Sequence, residues 1–240
     1  MEKIMNKDFS MIKVFNNFIS EEDSKFLINW TDANAEDQKK FRHRTGVAYN
    51  KGLAVRCAFP DEKPPFWFKE LKEIVDKYSK KFIDTVKDNY DITEELYFYG
   101  VSITRLSEDI QLRIHKDVHN DFSSLSWSCV VYLNDDYKDG EVAFVKDLDK
   151  NKFPTSEYDP NFHLYVDGEE AYVYKPIAGD AIVFPADQWH GGRQITKGTK
   201  YALILWLVRE KEYSFEGFDS DRVLSLINYN SRSTIDSHQI

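Results

Sequence analysis

His115-Lys116-Asp117 is followed, much later in the chain, by His190 and then by Lys200. Two imidazoles and one carboxylate form a ligand set that holds ferrous iron on one face and leaves the opposite positions open. The spacing of the first pair has a mechanical reason. Alternate side chains of a strand share a face, so His115 and Asp117 can reach one metal while Lys116 points away. The third ligand must then come from a different strand packed alongside.

The flanking sequence supplies such strands. Residues 101–106 lead into the first pair and residues 127–133 follow it, both rich in β-branched and aromatic residues. Residues 179–185, closed by Pro185, form a further predicted strand just before His190. Toward the N-terminus, residues 15–19 read as an opening strand and turn. Ser20 then caps a helix whose acidic first turn, Glu21-Glu22-Asp23, suits the helix dipole. Pro64-Pro65 starts a second helix. Its apolar residues Trp67, Leu71, Ile74, Tyr78, Phe82 and Val86 recur every three or four positions, so one stripe should pack against the sheet. Residues 221–227 suggest a short helix, and 231–240 a frayed end.

Four ordered blocks make the pattern specific: His115-x-Asp117, residues 139–144 (DGEVAF), residues 178–185 (AGDAIVFP), and His190 with Lys200 and a hydrophobic strand ending in Trp206. From Val101 to Val208 the chain resembles the catalytic core of the 2-oxoglutarate and iron(II) dependent dioxygenases, and within them the prolyl 4-hydroxylase-like group. The resemblance implies a mainly β (α+β) fold, a double-stranded β-helix or distorted jelly roll buttressed by N-terminal helices. It implies one domain over residues 1–240, with support to about 95, a catalytic core to about 210 and a polar tail beyond.

The same resemblance implies roles. His115, Asp117 and His190 would ligate Fe(II), 2-oxoglutarate would chelate the iron, and Lys200 would bind its far carboxylate by a charge-assisted hydrogen bond. Oxygen is the other cosubstrate, and ascorbate a candidate reductant. The implied reaction couples hydroxylation of a C–H bond to decarboxylation of 2-oxoglutarate, yielding succinate. In related halogenases a small residue replaces the carboxylate, so Asp117 argues for hydroxylation. The chain departs from its relatives in two places. Asp139-Gly140 stands before Glu141 where many have two glycines, with Val142 after it in place of threonine. Leu106 stands near the usual cosubstrate-binding tyrosine, so Tyr97, Tyr99 or Tyr132 is expected to compensate.

Composition bounds the rest. A chain of 240 residues with 42% hydrophobic and 15% aromatic content can bury one substantial core. Its net charge of −9 disfavours nonspecific binding to nucleic acid. Cys57 and Cys129 alone make no disulfide framework, the first residues lack the apolar core of a secretory signal, and no apolar run suits a membrane span. The expectation is a reducing, cytoplasmic setting without membrane attachment; oligomeric state leaves no signal.

Substrate residues are less sharply marked. His119 has the offset of a helical zinc pair but lacks the glutamate that such a motif needs, and reads as a loop residue near the site. The basic run at 39–44 reads as a solvated face. Arg193 could line the pocket or pair with an acid, and Trp189 could be packing or a substrate wall. Residues 45–60 and 146–170 are long enough to be lids, and Tyr49 and Phe59 would suit a prolyl ring or ordinary packing. Three readings follow: a peptidyl-prolyl 4-hydroxylase, a hydroxylase of a free amino acid or other small molecule, and a jelly-roll binding module without turnover.

Overall fold

The computed structural model describes residues 9–34, 52–58, 68–118, 124–146 and 171–214. In chain order these form β1 (Lys13–Phe15), α1 (Glu21–Asn34), β2 (Gly52–Ala58), α2 (Phe68–Asn89), β3 (Tyr97–Leu106), β4 (Leu112–His115), β5 (Leu125–Tyr132) and β6 (Lys138–Asp139). Then come β7 (Val142–Val145), β8 (Ala171–Tyr174), β9 (Ala181–Pro185), β10 (Trp189–Gly192), β11 (Ile195–Lys197) and β12 (Lys200–Val208). No helix among the described residues is long and apolar enough to cross a membrane.

The strands pair antiparallel into a large sheet, β1-β9-β5-β12-β3-β2, a small sheet, β4-β10-β7-β8, and a β11-β6 ribbon. The two main sheets face each other. Tyr132, Ile182 and Phe184 of the large sheet pack with Val142 and Phe144 of the small one. Neighbouring strands are mostly far apart in sequence, β9 lying between β1 and β5 and β10 between β4 and β7, as in a double-stranded β-helix.

The helices cover the other face of the large sheet. Leu71, Tyr78, Phe82 and Val86 of the predicted stripe, joined by Val75, pack with Val101, Ile103, Cys129, Val131, Leu203 and Leu205, while Ile74 is only partly buried against them. Burying each large apolar side chain contributes roughly 1.5–3 kcal/mol. The cap of α1 is also as expected: the Asp23 backbone N–H donates to Ser20 Oγ at 3.2 Å. The Asp23 carboxylate accepts from the Tyr78 hydroxyl at 2.6 Å, tying α1 to α2.

Two expectations change. The opening strand is Lys13–Phe15, paired with β9, and the chain turns at Asn16 and Asn17. Asn17 has φ 53°, and both asparagines bond the buried Asp180 carboxylate, which fixes the turn there. Within the segment expected to be a lid, Gly52–Ala58 instead forms β2, an edge strand paired with β3. After Gly52 this stretch has no turn residue to interrupt pairing. The rest of that segment, Tyr49, Phe59, His119, the basic run, Trp67, nearly all of 146–170 and the expected helix at 221–227 lie outside the described residues.

Candidate metal and cosubstrate site

His115 ends β4 directly opposite His190 on β10, their ring centroids 4.4 Å apart. Asp117, two residues on, returns to the same side. Lys116 turns the other way, its ammonium 5.1 Å from the centre of the Trp189 ring. The backbone N–H groups of Asp117 and Val118 both donate to the Ala186 carbonyl, at 3.0 and 3.2 Å, pinning this segment to the turn after β9. Asp117 Oδ1 lies 3.6 Å from His115 Nε2, and Oδ2 lies 3.9 Å from His190 Nε2. One ligand atom from each residue falls within a group spanning at most 4.8 Å, a separation that one ion can bridge.

Protonation favours ligation. His190 is walled by Phe184 and Phe144, with ring centroids at 4.6 and 6.1 Å. Burial, reinforced by His115, lowers its pKa to about 4 despite the pull of Asp117. Its Nδ1 sits 2.9 Å from the Gln188 carbonyl, so Nδ1–H donates there and the Nε2 lone pair faces the cluster. The Gln188 side chain is itself held by donation to the Val145 carbonyl at 2.7 Å. Burial would raise the Asp117 pKa, but His190, His115 and the Ser128 hydroxyl outweigh it and hold the carboxyl well below its ordinary range. Ser128 Oγ donates to Asp117 Oδ2 at 2.5 Å. Two imidazole nitrogens and an ionised carboxylate make a donor set that fits ferrous iron.

A second polar centre lies at the start of β12. Lys200 is 5% exposed, its Nζ donates to the Gly140 carbonyl at 2.6 Å, and it stands 5.1 and 5.6 Å from the ring centres of Tyr132 and Tyr137. Burial lowers its pKa to about 8, partly offset by Glu141. The Tyr137 hydroxyl and Glu141 Oε2 are buried without a hydrogen-bond partner. An ammonium offers three donors and the Tyr137 hydroxyl one more, so this buried cation suits an incoming carboxylate, against the charge of the nearby Glu141. Asp139 and Gly140, with φ of 63° and 74°, shape the turn that presents the Gly140 carbonyl. A Cβ on Gly140 would meet Ile195 Cγ1 at 3.0 Å. From this turn β7 runs to Phe144, directly opposite His190, so both centres border the space between the sheets.

The other predicted residues separate. Tyr132 joins Lys200, whereas Tyr99 lies toward the far end of β3: Lys200 pairs with Leu106, while Gly100, next to Tyr99, pairs with Trp206. Leu106 packs with Ile110 and Ile195 as ordinary core. Trp189 alternates with His190 and so projects from the opposite face of the small sheet, with Lys116. Arg193 follows β10, its backbone N–H donating to the Glu141 carbonyl at 2.8 Å, which places it near the lysine end. The sequence reading missed Ser128 as a partner of Asp117 and missed the direction of Trp206. Leu205 and Leu207 pack toward the helices, so the partly exposed Trp206 faces the interior, in register with Ser128. Strand alternation counted from Lys200 carried that signal.

The family model described as the 2OG-Fe(II) oxygenase superfamily matches residues 101–208. Among similar solved structures is a viral collagen prolyl hydroxylase from Paramecium Bursaria Chlorella virus-1 in complex with 2OG. It is 16% identical, with TM-score 0.54, over 83% of this chain and 97% of that one. HygX from Streptomyces hygroscopicus, with nickel and 2-oxoglutarate bound, is 14% identical with TM-score 0.57 over 84% of each chain. A Trichoplax adhaerens prolyl hydroxylase in complex with a hypoxia inducible factor peptide fragment is 15% identical with TM-score 0.54, over 85% of this chain and 86% of that one. No protein of curated function matches the sequence. At such identities the structural likeness speaks for the fold, and the family match makes the core strands of this chain, residues 101–208, similar to the 2OG-Fe(II) oxygenase superfamily.

Proposed function

We propose that this protein hydroxylates proline in a peptide or protein, with His115, Asp117 and His190 as iron ligands and Lys200 and Tyr132 receiving the far carboxylate of 2-oxoglutarate. The observation that carries this reading is the pairing of two centres across one interior space: an ionised carboxylate beside two imidazoles, and a buried ammonium with spare donors at the other end of β7. Iron(II), when bound, supplies oxygen activation and the oxidation of the C–H bond.

The protein's own residues do the positioning. Gln188 fixes the tautomer of His190, Ser128 orients Asp117, and Lys200 holds the cosubstrate so that its keto acid end faces the ligands. Phe144 and Phe184 keep water from His190. Trp206, partly exposed and level with Ser128, is the wall that suits a pyrrolidine ring better than Trp189 does. The choice of proline is supported by the prolyl hydroxylases among the similar structures.

The test begins with anaerobic addition of ferrous iron and 2-oxoglutarate to metal-free protein, which should give the visible charge-transfer band of the chelate. Proline-rich peptides should then raise succinate formation and gain one oxygen atom in mass. Turnover of free amino acids with none of peptides moves the assignment to a small-molecule hydroxylase. Binding of iron and 2-oxoglutarate without succinate from any candidate points instead to a binding module.

A further inference from the structure

We propose that Ser128 is a positioning residue that holds the Asp117 carboxylate in one-oxygen ligation and so keeps a coordination position open for oxygen. This rests on the iron-site reading above.

Ser128 lies in the middle of β5, fully buried, with Phe184 and Trp206 as its neighbours on the two adjoining strands. Its hydroxyl crosses from the large sheet to the segment after β4, where it donates to Asp117 Oδ2 at 2.5 Å. The two oxygens of Asp117 are therefore inequivalent. Oδ1 lies toward His115 Nε2 at 3.6 Å, whereas Oδ2 carries the serine hydrogen bond and lies 3.9 Å from His190 Nε2. An O–H to carboxylate contact this short is of the strong, charge-assisted kind, and it orients the carboxylate plane as well as occupying a lone pair.

Coordination arithmetic gives that bond a consequence. An octahedral ferrous ion with three protein donors keeps three positions. A 2-oxo acid chelate fills two of these, and oxygen needs the last. A second oxygen from Asp117 would fill it. The Ser128 hydroxyl occupies a lone pair of Oδ2, which favours Oδ1 as the single ligating oxygen, and the backbone bonds of Asp117 and Val118 to Ala186 restrain the segment. A serine that merely satisfied a buried carboxylate would affect stability and leave the open position unchanged.

The experiment compares wild type, Ser128→Ala and Ser128→Thr as metal-free full-length proteins loaded anaerobically with ferrous iron and 2-oxoglutarate. Nitric oxide, probing the remaining position, is followed by electron paramagnetic resonance, alongside the chelate band and thermal unfolding. Wild type and Ser128→Thr should bind nitric oxide in the presence of 2-oxoglutarate. Ser128→Ala should still bind metal yet take up nitric oxide about tenfold to a hundredfold more weakly, with a displaced chelate band. A Ser128→Ala protein with wild-type nitric oxide binding and an unmoved band overturns the positioning role while leaving the iron site standing. Absence of the chelate band in wild type removes the iron site and the role of Ser128 together. If alanine prevents folding, Ser128→Val against Ser128→Thr, matched in volume, makes the same comparison, and equal nitric oxide binding by the two overturns the proposal.

Discussion

The two faces of the large sheet are built from the same strands and obey different rules. On the helix side, Trp127, Cys129, Val131, Leu203, Leu205 and Leu207 alternate into one apolar core closed by α2. On the interior side of β5 and β12 stand Ser128, Tyr132, Lys200 and Trp206; Ser128 bonds Asp117 in the segment after β4, and Lys200 bonds the Gly140 carbonyl before β7 and lies over the Tyr132 ring. The first face gains stability from area alone and tolerates any well-packed apolar residue. The second has fixed pairwise partners, and each is lost if one side chain changes. Positions one residue apart should therefore report on different properties.

Asp117→Ala should break the interior face most severely. Turnover is expected to fall by on the order of a thousandfold, about 4 kcal/mol of transition-state stabilisation. Some stability of the metal-free protein should go with it, because its partners hold the carboxylate ionised in the fold, so turnover is read per folded molecule. Leu205→Ala should do the reverse, lowering stability by roughly 2–5 kcal/mol in denaturant titrations while the folded fraction keeps its metal affinity. If Leu205→Ala weakens metal binding as much as it weakens the fold, the separation of the two faces is wrong.

Lys200→Met sharpens the contrast within the interior face. It should weaken 2-oxoglutarate binding by about 2–3 kcal/mol, roughly thirtyfold to 150-fold, and leave metal binding without cosubstrate unchanged, both measurable by calorimetry. Tyr132→Phe, which removes only a hydroxyl, should weaken the same binding by about 1 kcal/mol.

The gentlest probe is pH. In the free protein Lys200 has a pKa near 8, below its ordinary value of 10.5, because burial disfavours its charge. Between those values the unfolded chain binds more protons than the folded one, so this residue makes stability rise as pH increases. Binding of 2-oxoglutarate needs the ammonium and should weaken over the same interval. A Lys200→Met protein should lose both slopes.

Much of this was legible in the sequence because strand alternation is strict. His-x-Asp puts two candidate ligands on one side, and the apolar period of α2 marks its buried stripe down to Val86. Trp189 could have been dismissed by the same rule, since it adjoins His190. The choice among three tyrosines stays open in the sequence because the lysine end is assembled by register: Tyr132 meets Lys200 only once β5 pairs with β12. Ser128 had no local mark, as its bond to Asp117 crosses between sheets. The length of residues 45–60 suggests a lid, and the pairing of the edge strand β2 with β3 outweighs that signal.

Cys129 follows Ser128 directly, yet its side chain lies on the other face of β5, where burial pushes its thiol pKa far up. A thiol kept protonated and out of solvent resists oxidation, since attack by peroxide or disulfide requires an accessible thiolate. The backbone of β5 is therefore also a partition. It lets the chain carry an easily damaged sulfur beside the proposed iron centre, with a hydrogen-bonded sheet between them, and would spare the protein one route of oxidative ageing.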